Sequence, residues 1–309
     1  MTTKVLDHLL TMNDLSADDL KDLIEESVQM KHQQKNGVPH PHLQGKTLGM
    51  IFEKSSTRTR VSFEVGMTQL GGHALFLNSN DMQLGRGESI DDTAKVLSRY
   101  VDGIMIRTFD HQIVEEFAAG SSVPIINGLT DQHHPTQVLA DLMTIFEQKG
   151  RWEGLKLAFT GDGNNNMTHS LIQGALLSGM KMSVASPEGF EPAESIWKEA
   201  VDKYGEERLQ FYADPCEAVK GADVIVTDVW TSMGNEEETA ERLQLFRPYQ
   251  VNEELVKHAR DDFMFLHCLP AHREEEVTAA VIDGPHSYVF DEAENRLHAQ
   301  KALLKKLIK

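Results

Sequence analysis

Ser55-Ser56-Thr57-Arg58-Thr59-Arg60 places four hydroxyls and two guanidiniums in six consecutive positions. The apolar run Thr47–Glu53 ahead of it reads as a strand, and the residues after it read as a helix to about Leu70. A helix N-terminus offers free backbone N–H groups and the positive end of a dipole. Hydroxyls and forked guanidiniums add donors, so this segment can hold phosphate or another small oxyanion. A capped helix start with solvated arginines fits the same residues. The segment is not a Walker A loop, since no GxxxxGK[ST] pattern is present.

Other segments carry chemistry at the ends of predicted strands. Arg107 closes Gly103-Ile-Met-Ile-Arg, and a charge at the C-terminal end of a parallel strand points at the ligand edge of the sheet. His134-Pro135-Thr136-Gln137 stands where a long helix starts. Alone, His134 reads equally as a capping or core histidine. Gly161-Asp-Gly-Asn-Asn-Asn-Met167 is a tight strand-to-helix turn, and Asp228-Val-Trp-Thr-Ser-Met-Gly234 opens a polar loop. In His267-Cys268-Leu269-Pro270 the cysteine also fits core packing. Gln83 lies in the polar, Gly-containing loop Ser79–Glu88, and Arg296 starts the last helix. The 14 histidines include no HExxH pattern and no Cys/His cluster, so neither a metal nor a cofactor is expected.

These residues need a scaffold. The chain has 309 residues, which at roughly 100–200 residues per domain predicts two domains. Strands are expected at 47–53, 73–77, 103–107 and 123–127, with helices between, before the long helix Pro135–Lys149. The pattern restarts at Leu155–Thr160, with strands near 181–186, 208–213, 223–229 and 262–268, and ends in an amphipathic helix over 291–309. Such alternation implies an α/β fold of two doubly wound parallel-sheet domains joined by long helices. The expected boundaries are 1–149 and 150–290. A cleft between two such domains is a common place for an active site.

Composition excludes several partners. The net charge of -18 repels nucleic acid and anionic lipid, so neither nucleic acid nor a membrane is an expected partner. An oxyanion site in this chain must therefore concentrate its positive charge locally. No apolar run approaches the ~18 residues of a membrane span. The N-terminus shows no secretory or transit pattern, and two unpatterned cysteines suit a reducing compartment, so a cytoplasmic location is expected.

Ser56-Thr57-Arg58-Thr59-Arg60 resembles the carbamoyl-phosphate signature of the aspartate/ornithine carbamoyltransferase family. Three further matches follow in family order, and the resemblance runs from Ser56 to Arg296. It implies that residues 1–149 bind carbamoyl phosphate, with the helix 291–309 packing back on them, and that 150–290 bind the acceptor amine. Carbamoyl phosphate would meet Ser56, Thr57, Arg58, Thr59, Arg107, His134, Gln137, Cys268, Leu269 and Arg296. In the family the Arg and His polarise the carbamoyl oxygen and the Gln binds the carbamoyl nitrogen. Gln83 resembles the residue of a loop that reaches a neighbouring subunit's site, which implies a homotrimer.

The second half decides the acceptor. Asp228 to Gly234 and His267-Cys268-Leu269-Pro270 resemble the ornithine-type segments of the family. They imply transfer of the carbamoyl group to the side-chain amine of L-ornithine, giving citrulline and phosphate within arginine metabolism. Asn166, Asp228, Ser232 and Met233 would hold the amino-acid head group, and Cys268 with Asp228 would take up or orient the amine's proton. Binding in order, carbamoyl phosphate first, and domain closure follow from the resemblance. A putrescine or other amine carbamoyltransferase and a non-catalytic amino-acid-binding paralogue are the runners-up. A dinucleotide enzyme fits poorly, because Asn166 replaces the last glycine of GxGxxG.

Overall fold

The computed structural model describes residues 6–83, 87–231 and 239–309. The chain divides into two compact units: one runs through Met143 and takes in Glu294–Lys309, and the other is Thr144–Ala293.

In the first unit, β1 (Thr47–Phe52), β2 (His73–Asn78), β3 (Gly103–Arg107) and β4 (Ile125–Leu129) form a parallel sheet in the order β2-β1-β3-β4. Successive strand residues point to opposite faces. Met50, Ile51 and Phe52 are all buried, as are Ile104, Met105 and Ile106, so both faces of the centre are covered. That is why these strands read as continuous apolar runs. The helices are α1 (Ala17–Lys35), α2 (Thr57–Gln69), α3 (Ile90–Leu97), α4 (His111–Gly120) and the start of α5 (Pro135–Lys149). α1 begins as its sequence demands: Ser16 Oγ accepts from the Asp19 N–H and the Asp19 carboxylate accepts from the Ser16 N–H.

The second unit repeats the design. β5 (Lys156–Thr160), β6 (Lys181–Ala185), β7 (Leu209–Tyr212), β8 (Val224–Val226) and β9 (Met264–Leu266) form a parallel sheet in the order β7-β6-β5-β8-β9. Its helices are α6 (Asn166–Leu177), α7 (Glu194–Tyr204), α8 (Pro215–Val219), α9 (Thr239–Phe246), α10 (Glu253–Val256) and α11 (Ala279–Ile282). The last helix, α12 (Val289–Leu307), starts in this unit and gives Glu294 onward to the first. Among the described residues, no helix is long and apolar enough to cross a membrane.

One strand is displaced along the chain from its expected place and two are shorter than their sequence pattern suggests, for local reasons. β4 starts at Ile125 and not Val123, after Pro124, which has no N–H to give a ladder. β8 stops at Val226, where the Thr227 hydroxyl turns to the Thr160 carbonyl at 2.7 Å. β9 stops at Leu266, because the His267 N–H leaves the ladder for the Glu292 carboxylate at 2.9 Å.

Both sheets have a topological switch point, where successive connections leave in opposite directions. In the first it lies between β1 and β3, and in the second between β5 and β8. Ligands bind beyond the carboxyl ends of strands at such points.

α12 is fixed within the first unit by an unusual polar contact. Lys301 is 0% exposed, and its ammonium donates to Gln34 Oε1 at 3.0 Å, Gln69 Oε1 at 2.9 Å and His40 Nε2 at 3.0 Å. His40 Nδ1 sits 3.0 Å from the Val38 carbonyl, so the ring proton is there and Nε2 accepts. Three protons meet three neutral acceptors, which satisfies the ammonium without balancing its charge. Burial pushes Lys301 down from 10.5 to about 8. Between those values the unfolded chain binds more protons than the folded one, so the penalty present below about pH 8 is relieved as pH rises. Thermal melts across this range should show Lys301→Met losing that alkaline gain relative to the parent chain. Identical pH slopes for the two proteins would contradict the assignment.

Candidate active site

At the switch point of the first unit, β1 ends and the chain enters α2 through Ser56. The Ser56 hydroxyl caps the helix by accepting from the Thr59 N–H at 3.1 Å. The first turn of α2 holds no acidic residue, so nothing in it neutralises the dipole end. β3 pairs beside β1, with Arg107 opposite Phe52, which sets the guanidinium next to that turn. Arg107 Nη1 lies 3.4 Å from the Thr59 hydroxyl oxygen. From the other end of the sequence, Arg296 on α12 donates to the same oxygen at 2.7 Å. Lys31 steadies that stretch of α12 by donating to Asn295 Oδ1 at 2.7 Å.

His134, just before α5, completes the cluster. Burial first, then the charges of Arg296, Arg107 and Arg58, hold its pKa well below 6.5. The imidazole is therefore neutral at pH 7, with one N–H to donate and one lone pair to accept. Gln137 lies in the first turn of α5 and its amide donates to Asp141 Oδ1 at 2.9 Å. The neighbouring His133 serves the scaffold: its N–H donates to Thr130 Oγ1 at 3.1 Å and its ring packs edge-on against His111. The positive charge that the acidic composition required is thus gathered from α2, β3 and α12 within one unit. Donors of this kind suit an anion with a polarisable carbonyl.

In the second unit, β5 runs into Gly161-Asp162-Gly163. Gly161 has φ +134°, and a Cβ on Gly163 would lie 2.5 Å from the Phe190 carbonyl oxygen, so the turn requires both glycines. Asn165 caps α6 by accepting from the Thr168 N–H at 2.8 Å, and Asn166 is the first helical residue. This first turn also has no acid.

Beside it, Asp228 follows β8. Its Oδ1 accepts from the Val229 N–H at 2.8 Å and from the Cys268 thiol at 3.1 Å. His267 sets the turn that carries Cys268. Its Nδ1 accepts from the Leu269 N–H at 2.9 Å, so the proton is on Nε2, which donates to the buried Glu276 carboxylate at 3.1 Å. Leu269 is held at φ +55°, a conformation that a branched side chain rarely adopts without such support.

Arg242 on α9 joins two pieces of this half. It pairs with Asp162 at 2.5 Å, donates to the Trp230 carbonyl at 2.8 Å, and lies 4.8 Å over the Phe190 ring. Sequence pattern gives no sign of Arg242 or Glu292, because their partners are distant in the chain. Glu276 is visible only as one acid in a run of three.

The first unit brings together Ser56, Thr57, Arg58, Thr59, Arg107, His134, Gln137 and Arg296, and the second brings together Asp228, Cys268 and Leu269, with Asn166 on the adjacent turn. Gln83 is exposed and follows edge strand β2 in the chain. Ser232 and Met233 lie outside the described residues. Among the described residues, two groups have donor atoms close enough for an ion: Asp228, His267 and Cys268, and the more exposed His272, Glu275 and Glu276. In the first group, hydrogen bonds already engage both His267 ring nitrogens and join the thiol to Asp228.

Residues 7–147 match the carbamoyl-P binding domain of the aspartate/ornithine carbamoyltransferase family, and residues 153–307 match its Asp/Orn binding domain. The chain is 59% identical over 302 residues to an ornithine carbamoyltransferase of Carboxydothermus hydrogenoformans, covering 97% of this chain and 96% of that one. It is similar to the structure of ornithine carbamoyltransferase from Pyrococcus furiosus, with a TM-score of 0.94 and 55% identity over 98% of this chain and 97% of that one. For the enzyme from Burkholderia thailandensis the TM-score is 0.88 and the identity 47%, over 98% of each chain.

Proposed function

The chain belongs to the aspartate/ornithine carbamoyltransferase family and carries the carbamoyl group of carbamoyl phosphate to ornithine, and from that premise we propose which residues do the work. The observation that carries the proposal is the convergence of Arg107 and Arg296 on Thr59, with a neutral His134 beside them.

Carbamoyl phosphate lies with its phosphate at the uncompensated N-terminus of α2, among Ser56, Thr57, Arg58 and Thr59. Arg107, His134 and Arg296 face its carbonyl side, and Gln137 takes its nitrogen. The Leu269 carbonyl and Cys268 contribute from the second unit, and Gln83 from a neighbouring copy. Ornithine's head group is held by Asn166, Asp228, Ser232 and Met233. Its neutral δ-amine attacks the carbamoyl carbon, giving a tetrahedral carbon with a negative oxygen. Pre-placed donors to that oxygen are each worth roughly 3–4 kcal/mol. The C–O bond to phosphate then breaks and phosphate leaves. An alkylammonium of pKa ~10.4 opposes the attack at pH 7 by roughly 4–5 kcal/mol. The Cys268 thiol donates to the Asp228 carboxylate at 3.1 Å, so in this reading the sulfur takes up or orients the amine's proton as its own S–H proton passes to Asp228.

A homotrimer follows from the same reading. It is supported by exposed apolar side chains on α2 and β2, namely Val61, Val65, Leu75 and Phe76, along the edge strand that leads to Gln83. The cytoplasm is the compartment that suits Cys216 and Cys268, neither of which forms a disulfide; cell fractionation checks it.

Initial rates with ornithine, putrescine, lysine and aspartate offered in parallel should show strong preference for ornithine. Activity on putrescine or aspartate would retain the first-unit assignment and overturn the acceptor one. Cys268→Ser should lower kcat and move its pH profile to higher pH, and an unmoved profile would remove the thiol from proton handling. Sedimentation at assay concentration should give a mass of three chains; a monomer with full activity would rule out a shared site.

A further inference from the structure

Gln137 and Asp141 stand one turn apart on α5, both buried, and the Gln137 amide nitrogen donates to Asp141 Oδ1 at 2.9 Å. The bond decides more than the position of a side chain. A primary amide has a donor end and an acceptor end that are nearly the same shape, whereas a carboxylate only accepts. Asp141 therefore takes the NH₂ end of Gln137, and Oε1 is the acceptor end of the amide.

The identity of that end matters because Gln137 follows His134 on the same turn, its N–H donating to the His134 carbonyl at 3.1 Å, and His134 lies among the arginines. Thr59, Arg58, Arg107 and Arg296 offer hydroxyl and guanidinium donors, and α2 offers backbone N–H groups. Among these donors, the Gln137 oxygen is an acceptor on the turn that follows His134. An acceptor there recognises an NH₂ group. A methyl group in its place leaves the oxygen buried and unmatched. Turned the other way, the amide would offer one more donor and would no longer select for nitrogen.

We propose that Asp141 is a specificity-determining positioning residue, which fixes the orientation of the Gln137 amide and so selects carbamoyl phosphate over acyl phosphates of the same shape. The proposal rests on the assignment of Gln137 to the carbamoyl nitrogen.

Acetyl phosphate, with CH₃ where carbamoyl phosphate has NH₂, is the probe. The full-length protein and its Asp141→Asn variant would be compared by the KM for carbamoyl phosphate and the inhibition constants of acetyl phosphate and inorganic phosphate. An asparagine can donate to Gln137 Oε1, so the amide is free to turn over. The preference for carbamoyl over acetyl phosphate should fall by about 10- to 100-fold, the loss of one buried hydrogen bond, while inorganic phosphate inhibits as before. Asp141→Ser, which is shorter and no longer forces the orientation, should lose the same preference and serves if the asparagine variant folds poorly by thermal melting. An unchanged ratio in folded variants overturns the proposal, as does equal weakening of all three ligands, which marks a purely structural role. Gln137→Ala separates the two layers: if it leaves the ratio unchanged, the assignment of Gln137 itself is wrong, whatever Asp141 does.

Discussion

Three guanidiniums beside one buried imidazole, in a chain of net charge -18, are the arrangement around which the first unit is organised. Like charges gathered in a dry place repel, and burial of each is unfavourable without a partner. The fold meets this in separate ways. The arginines come from different elements, so each is anchored by its own packing. The Thr59 hydroxyl accepts from two of them. The imidazole stays neutral and adds no further charge. The β1–β3 pairing and the seating of α12 serve this gathering, since a small shift of either would pull Arg107 or Arg296 from Thr59.

The second unit handles the opposite sign by the same topology. Its sheet also reverses direction at a switch point, and Asp228 and the Gly161–Gly163 turn lie beyond the adjacent strand ends. Precision here comes from side chains that bind backbone. His267 holds the Leu269 N–H, Glu292 holds the His267 N–H, and Arg242 holds the Trp230 carbonyl. Each bond lets a short strand release its chain at a defined residue, which is how three-residue strands such as β8 and β9 can present Asp228 and Cys268 reproducibly. Leu269 in the left-handed region is tolerated for the same reason.

Much of this was legible in the residues because it is local. The Ser56 cap, the strand-to-helix turns, the alternation of strand and helix and the placing of Arg107 at a strand end all follow from neighbours in sequence. His134 stands directly before Pro135 at the start of α5, whereas its neighbour His133 packs against His111. What was not legible depends on closure over long separations. Arg296 meets Thr59 across 237 residues, and only the family resemblance singled it out. Arg242 and Glu292 carry no motif. The early ends of β8 and β9 depend on Thr227 and His267 finding partners outside the ladder, which an apolar run cannot reveal. The role proposed for Gln83 depends on a second copy of the chain, which a single sequence does not display.

The first turn of α2 has no acid to answer its dipole or the arginines around it. An unliganded chain therefore carries an electrostatic penalty that a bound anion removes. A ligand that binds the folded chain alone stabilises it by RT ln(1 + [L]/Kd). On the proposed assignment, phosphate, the leaving group of the reaction, is also a folding ligand. On that assignment the melting temperature is a property the chain shares with its buffer, and an enzyme at work, bathed in its own product, would resist unfolding better than one purified away from it.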